Sequence, residues 1–146
     1  MARSADLTPR FVDAILGWRG TPVVARVALA SAYLIGGLAK LMDFSAAVAE
    51  QEHFGLTPGW LWAALAIAVE LLGSILVISG RLVWLGAGGL GVLTAVAMLT
   101  ANNFWALDGA ARFAAFNAFF EHLGLIGGFV LVAVLASRTE PSSNRS

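Results

Sequence analysis

Four long apolar segments constrain the fold of this chain more than any other feature. They cover residues 23–41, 60–78, 82–101 and 113–137, and each is close to the roughly 20 residues that an α-helix needs to cross the ~30 Å hydrocarbon core of a bilayer. Only 12% of all residues are charged, about half of the share found in soluble domains. Because a helix satisfies its own backbone hydrogen bonds in lipid, the sequence predicts an all-α membrane protein, a four-transmembrane-helix bundle.

The rest of the chain consists of short flanking and connecting segments. Residues 1–21 are predicted to form an N-terminal cytoplasmic segment with a short interfacial helix, because Phe11, Ile15 and Trp18 recur at helical spacing. A frayed polar terminus is the alternative. Residues 22–137 are the predicted transmembrane domain, and the polar residues 138–146 are predicted to be a disordered cytoplasmic tail.

The basic residues predict the orientation in the membrane, since Lys and Arg near the ends of spans favour the cytoplasm. Two of them, Lys40 and Arg112, belong to one side. The other side has the remaining seven, which are Arg3, Arg10, Arg19, Arg26, Arg81, Arg138 and Arg145. Both termini are therefore predicted to be cytoplasmic, and the acidic connection after the first span is predicted to face outward.

Several polar side chains lie at a common depth in the predicted spans, where an ionisable group costs on the order of 2.5–3.5 kcal/mol and needs a partner. At a rise of 1.5 Å per residue, Glu70 lies about 15 Å from the start of the second span. Glu121 and His122 reach a similar depth in the fourth span. The sequence therefore predicts a ligand-binding pocket in the outer half of the bundle, lined by Lys40, Glu70, Asn102, Asn103, Asn117, Glu121 and His122.

Each of these residues also has a purely structural interpretation. Lys40 could extend toward lipid headgroups, and Asn102 and Asn103 could simply end the third helix. Glu70 in the second span could form an ion pair with a group of the fourth span that only holds the helices together. Arg26, at the cytoplasmic end of the first span, either faces the bundle or extends toward headgroups. No residue is assigned a catalytic role.

Composition excludes several classes of function. Nine Lys and Arg balance nine Asp and Glu, so a nucleic-acid partner is not expected. The chain has no cysteine, which rules out disulfides, thiolate metal sites and thiol redox centres within it. No metal site is expected, because His53 lies in the outer connection, apart from His122.

Short motifs resemble those of a known family. In order, they are RVAL at 26–29, IGGLAKL at 35–41, ELLGSIL at 70–76, NFW at 103–105 and NAFFEHLGLIGG at 117–128. Their order and spacing, over roughly residues 22–137, resemble the DoxX family of bacterial membrane proteins. The resemblance implies a four-helix bundle in the bacterial inner (cytoplasmic) membrane. It also implies a redox context, since relatives include a subunit of thiosulfate:quinone oxidoreductase and proteins tied to oxidative-stress and thiol redox systems.

The pocket and the resemblance together predict a redox-associated membrane protein that binds a quinone or a similar amphipathic small molecule. Polar groups would hydrogen-bond the quinone ring while its tail lies among apolar helices. With no haem-ligand pair or nucleotide-binding motif, the chain would work with a partner oxidoreductase, and whether it is itself an enzyme stays open. The alternatives are a non-catalytic membrane anchor or scaffold for a soluble redox or stress-response enzyme, and a small transporter. The sequence also leaves open whether the chain forms a homo-oligomer.

Overall fold

A computed structural model describes residues 8–139 of the chain. Most of the predicted disordered tail, residues 140–146, lies outside the described part, as do residues 1–7. Within residues 8–139 the regular secondary structure is entirely helical. In chain order it comprises α1 (Arg10–Gly17), α2 (Thr21–Met42), α3 (Phe44–His53), α4 (Gly59–Ser79), α5 (Val83–Ala101), a 3₁₀ turn (Phe104–Ala106) and α6 (Gly109–Thr139).

Four of these helices, α2, α4, α5 and α6, are long and apolar enough to cross a membrane. The predicted fold class, a four-helix transmembrane bundle, is therefore confirmed, while the orientation of its termini stays a prediction. Helix α6 begins earlier than the predicted span and has 31 residues, which corresponds to a length of about 46 Å. It is thus longer than the ~30 Å hydrocarbon core and must tilt or extend beyond it.

The spanning helices pack in the order of the chain. Helix α2 packs against α4, α4 against α5 and α5 against α6, whereas α2 and α6 have few contacts with each other. The central core is formed by Ala30, Val77, Ala87, Leu90 and Phe129. Because lipid provides no hydrophobic drive between helices, close packing has to hold such a bundle together.

Glycines provide the closest packing between α4 and α5. A methyl group added at Gly86 would lie 2.7 Å from the carbonyl oxygen of Gly73 and 2.8 Å from the Cβ atom of Leu76. Both distances are shorter than van der Waals contact, so the two backbones approach in a way that only glycine permits. This contact holds α4 and α5 together about one helical turn beyond Glu70 on α4.

The connection between α2 and α4 contains a helix that the sequence did not predict. The Asp43 side chain accepts a hydrogen bond from the Ala46 N–H at 3.0 Å and so caps the start of α3. Helix α3 packs against the beginning of α4, where a methyl group added at Gly59 would lie 2.8 Å from the carbonyl oxygen of Val48. The acidic connection therefore folds over one end of the bundle, called here the α3 end.

Of the three apolar residues whose spacing predicted the N-terminal helix, Phe11 and Ile15 lie on α1, and Trp18 directly follows its last residue, Gly17. Phe11, Ile15 and Trp18 are 69%, 58% and 61% exposed, so the protein itself leaves this surface uncovered. The helix is confirmed, and its position at the membrane interface stays a prediction.

Candidate functional site

An ion pair lies inside the bundle toward the α3 end. Lys40, near the end of α2, donates a hydrogen bond from Nζ to Oε1 of Glu70 in the middle of α4, at 2.6 Å. Glu70 is only 7% exposed, and the Lys40 side chain is 25% exposed. Lys40 is therefore directed toward the buried carboxylate rather than toward the headgroups.

The pair forms because α2 and α4 approach closely at the two glycines before Lys40. A methyl group added at Gly37 would lie 3.0 Å from the Cβ atom of Glu70 and 2.9 Å from a methyl carbon of Leu71. Further along the same contact, the Ser74 hydroxyl donates to the carbonyl oxygen of Ala30 at 3.4 Å. The small residues thus place the Glu70 carboxylate against the wall of α2, within reach of the lysine.

The second carboxylate oxygen of Glu70 has no hydrogen-bond partner. Within residues 8–139, Oε2 of Glu70 is the one buried side-chain polar atom left unpaired. An unsatisfied buried acceptor costs about 1–3 kcal/mol, and more when it is charged. The fold therefore leaves a strong acceptor without a hydrogen-bond donor at this position.

Polar groups elsewhere in the bundle interior are paired, which makes the free oxygen of Glu70 stand out. The Thr94 hydroxyl donates to the carbonyl oxygen of Leu90 at 2.6 Å. Its own oxygen lies 2.6 Å from the Tyr33 hydroxyl, which is then the donor of that second bond. The ring of Tyr33 contacts Phe129 edge-on, with ring centroids 5.4 Å apart. This chain of bonds joins α2 to α5.

A cavity of about 300 Å³ lies beside the ion pair, enclosed by residues from α2 to α6. Its volume is at the lower end of the roughly 300–1,000 Å³ found for small-molecule sites. Apolar side chains from α4 and α5, among them Ala66 and Leu93, form part of the wall. Its charged and amide side chains are Lys40, Glu50, Gln51, Glu70, Asn102 and His122.

His122 contributes a second acceptor to this cavity. Its Nδ1 atom lies 2.6 Å from the carbonyl oxygen of Ala118 one turn earlier in α6. A carbonyl oxygen can only accept, so Nδ1 carries the hydrogen, and Nε2 of the neutral ring is an acceptor. The residues that line the cavity thus include one ammonium donor, Lys40, and two groups that can accept hydrogen bonds, the Glu70 carboxylate and the His122 ring in its neutral form.

The structure brings four of the seven residues predicted for the pocket to this cavity, namely Lys40, Glu70, Asn102 and His122. Asn117 and Glu121 are instead exposed on the side of α6 that faces away from the bundle. Successive residues of a helix point about 100° apart, so an inward His122 directs Glu121 outward. Asn103 is not among the cavity residues and precedes the 3₁₀ turn after α5.

Two cavity residues that the sequence did not predict, Glu50 and Gln51, come from α3. Their placement depends on the capping of α3 by Asp43, whose carboxylate accepts from the backbone N–H of Ala46 and from the Ser45 hydroxyl. These two hydrogen bonds hold the pKa of Asp43 below its usual value. An Asp followed by an alanine-rich stretch was the sequence signal for this helix.

Arg26 lies at the opposite end of the bundle from the cavity. A methyl group added at Gly80 would lie 2.5 Å from Nη1 of Arg26, so the guanidinium is next to the end of α4. Gly80 has a left-handed conformation there, with φ of 75°. A cation at a helix C-terminus is favoured by the exposed carbonyl groups, so the end of α4 is a favourable position for the Arg26 guanidinium.

Metal binding finds no support in the part of the chain that the structure describes. Among residues 8–139, no three His, Asp or Glu side chains are grouped so that they could hold an ion. The chemistry that the site can offer is hydrogen bonding and proton exchange through Lys40, Glu70 and His122.

Comparisons with known proteins identify the family. A search among curated proteins and a search among solved structures found no match. The DoxX family profile matches residues 21–103, which is more than half of the chain and includes α2 to α5. The cavity residues on these helices lie within the matched region, and His122 on α6 lies beyond it. With its four apolar helices, the chain is a multi-pass membrane protein that belongs to the DoxX family.

Proposed function

We propose that the cavity binds the head group of a quinone, in its oxidised or reduced form, and that the protein works with a partner oxidoreductase in the bacterial inner membrane. The observation that carries this proposal is the unpaired Oε2 atom of buried Glu70, a residue that lines the same cavity as His122. A ligand that donates a hydrogen bond there removes the cost of leaving that oxygen unsatisfied.

The polar groups of the cavity complement both redox forms of such a ligand. A quinol donates through its two hydroxyl groups, for which Oε2 of Glu70 and Nε2 of His122 are acceptors. A quinone only accepts, and Lys40 has two further N–H donors besides the one directed to Glu70. The apolar wall, which includes Leu93 and Val96, suits the face of the ring.

Protons can reach the binding cavity, which is the cavity beside the ion pair, through a notch at the α3 end. Lys40 and Glu50 line both the binding cavity and a notch of about 290 Å³ that is bounded by Asp43. Reduction of a quinone to a quinol takes up two electrons and two protons. In this proposal the partner oxidoreductase supplies the electrons, and Lys40 and Glu50 connect the bound ring to protons from water.

The proposed orientation has both termini in the cytoplasm and the cavity in the outer half of the bilayer. Because the chain lacks cysteine, single cysteines can report the side directly. We expect a membrane-impermeant maleimide to label Ala46→Cys on α3 in intact cells. Ser79→Cys, at the opposite end of the bundle, should react only after permeabilisation. The reverse labelling would place the cavity on the cytoplasmic side.

Binding of a short-chain ubiquinol to the purified protein in nanodiscs tests the proposed ligand. We expect saturable binding, weakened roughly 10- to 100-fold by Glu70→Gln, because a hydrogen bond to a charged group is worth about 1.5–3 kcal/mol. The same substitution at exposed Glu121 is the matched control and should leave affinity unchanged. Melting curves of both variants show whether each is folded.

Two results would count against a quinone site. One is the absence of saturable binding to the wild-type protein, and the other is equal affinity of the Glu70→Gln and Glu121→Gln variants. Recovery of a soluble oxidoreductase in a pull-down without quinone binding would instead favour the scaffold function. Accumulation of a solute in liposomes would favour transport.

A further inference from the structure

An apolar groove, separate from the notch near Asp43, adjoins the binding cavity on the side of α4 and α5. It is a groove of about 410 Å³ between these helices, and its lining is almost entirely apolar. It is walled by Trp62, Leu65 and Val69 from α4 and by Gly88, Gly89 and Val92 from α5. The groove and the binding cavity share five residues, which are Gln51, Leu56, Ala66, Leu93 and Val96.

The groove opens toward the surrounding lipid. Leu65 and Val92 on its two walls are 48% and 67% exposed. The groove exists because two neighbouring positions of α5 have no side chain. A methyl group added at Gly88 would meet nothing within 4 Å, and one at Gly89 would lie 3.5 Å from a methyl carbon of Val69.

We infer that this groove holds the apolar tail of the ligand whose head group occupies the binding cavity, an inference that rests on the proposed function. The ligand would enter the cavity laterally from the bilayer, between α4 and α5 and next to Gln51 and Leu56. The ligand class is thereby narrowed to a molecule with a compact polar ring and at least one apolar chain, such as an isoprenoid quinone.

Continuity with the binding cavity distinguishes this groove from another lipid-facing one. The groove between α5 and α6, of about 460 Å³, is lined by residues such as Trp84, Gly91 and Ile126. It shares no lining residue with the binding cavity. A ring held beside Glu70 and His122 can therefore extend a chain into the α4–α5 groove without crossing a helix.

The tail gains little hydrophobic energy in the groove, because lipid is equally apolar. The groove acts instead by giving the tail a path while the ring is bound. Filling the groove should therefore exclude a ligand with a tail and leave a ligand without one unaffected.

Paired leucine substitutions in α5 test this. Gly89→Leu fills the groove, whereas Gly91→Leu adds the same side chain two residues away, where an added methyl group meets nothing within 4 Å. The probes are the quinol forms of 2,3-dimethoxy-5-methyl-1,4-benzoquinone and of its 6-decyl derivative, titrated in nanodiscs. We expect Gly89→Leu to weaken decyl binding at least tenfold and to leave the tailless probe unchanged. Gly91→Leu should bind both probes like the wild type.

A second variant guards against a folding defect. Leu65→Trp places a larger side chain in the groove from the α4 side, at an exposed position. It should likewise weaken binding of the decyl probe and leave binding of the tailless probe unchanged. Unchanged decyl binding in both groove variants would overturn the tail assignment, as would an equal loss of both probes. If the wild-type protein binds neither probe, the proposed function itself fails, and the tail assignment fails with it.

Discussion

Replacing Lys40 by Met should destabilise the bundle more than most substitutions of a partly exposed residue. Lys40 gives Glu70 the partner of Oε1, and Oε2 already has none, so the change leaves both oxygens of a buried carboxylate unpaired. Removing one partner of a buried ion pair costs about 3–5 kcal/mol in the free energy of unfolding. Glu70→Gln should lower the free energy of unfolding by a smaller amount, because the amide oxygen can still accept a hydrogen bond from Lys40. The ammonium group that loses its carboxylate is also partly exposed to solvent.

Combining the two substitutions tests whether the residues act as a pair. The double variant Lys40→Met/Glu70→Gln no longer contains a buried charge, so it should be more stable than the sum of the single effects by about 0.5–3 kcal/mol. The assay is reversible unfolding in mixed dodecyl maltoside and dodecyl sulfate micelles, followed by tryptophan fluorescence. Arg112→Gln, at an exposed position, is the control and should change stability by less than about 0.5 kcal/mol. Additive single effects, or a Lys40→Met variant as stable as the control, would show that Lys40 and Glu70 do not stabilise the bundle as a pair.

Three further predictions follow from the close contacts and from the cap of α3. Gly37→Ala should lower stability by about 1–3 kcal/mol through overpacking, whereas Gly36→Ala, whose methyl group would lie 3.7 Å from Oε2 of Glu70, should be neutral or stabilising in the same unfolding assay. Gly86→Ala should lower the melting temperature, because its methyl group would collide with the backbone of α4, and Gly88→Ala should not; equal melting temperatures would contradict the packing described. Because hydrogen bonds lower the pKa of Asp43 in the folded state, its stabilisation of α3 is fully present above the unfolded pKa and is lost as the pH falls through the folded pKa. Hydrogen exchange of the α3 amides should therefore speed up, relative to the intrinsic rate, at acidic pH in the wild type, and the Asp43→Asn variant should lack this pH dependence.

The sequence was sufficient to predict the spans, because their length and composition alone decide the fold in lipid. It did not predict α3. That helix has only a weak amphipathic pattern, and it is held in place by its cap at Asp43 and by contact with α4 at Gly59, which requires knowledge of the tertiary structure. The two cavity residues from α3, Glu50 and Gln51, were missed for the same reason.

Depth along a helix could be read from the sequence, but rotation about its axis could not. Counting residues placed Glu70 and His122 near one level, and both line the cavity. Helix α6 is apolar around most of its circumference, so no periodic pattern indicates which side faces inward. The exposed positions of Asn117 and Glu121 therefore became apparent only when the packing of α6 against α5 was known.

Infrared difference spectroscopy of the protein in nanodiscs, with and without ubiquinol-1, shows whether Glu70 binds the ligand through its free carboxylate oxygen. Binding of the ligand by Glu70 predicts that adding the quinol shifts a carboxyl band in the wild-type protein and in Glu121→Gln. The same band should not respond in Glu70→Gln. A band shift that persists in Glu70→Gln, or spectra of the wild-type protein that do not respond to the quinol, would contradict it.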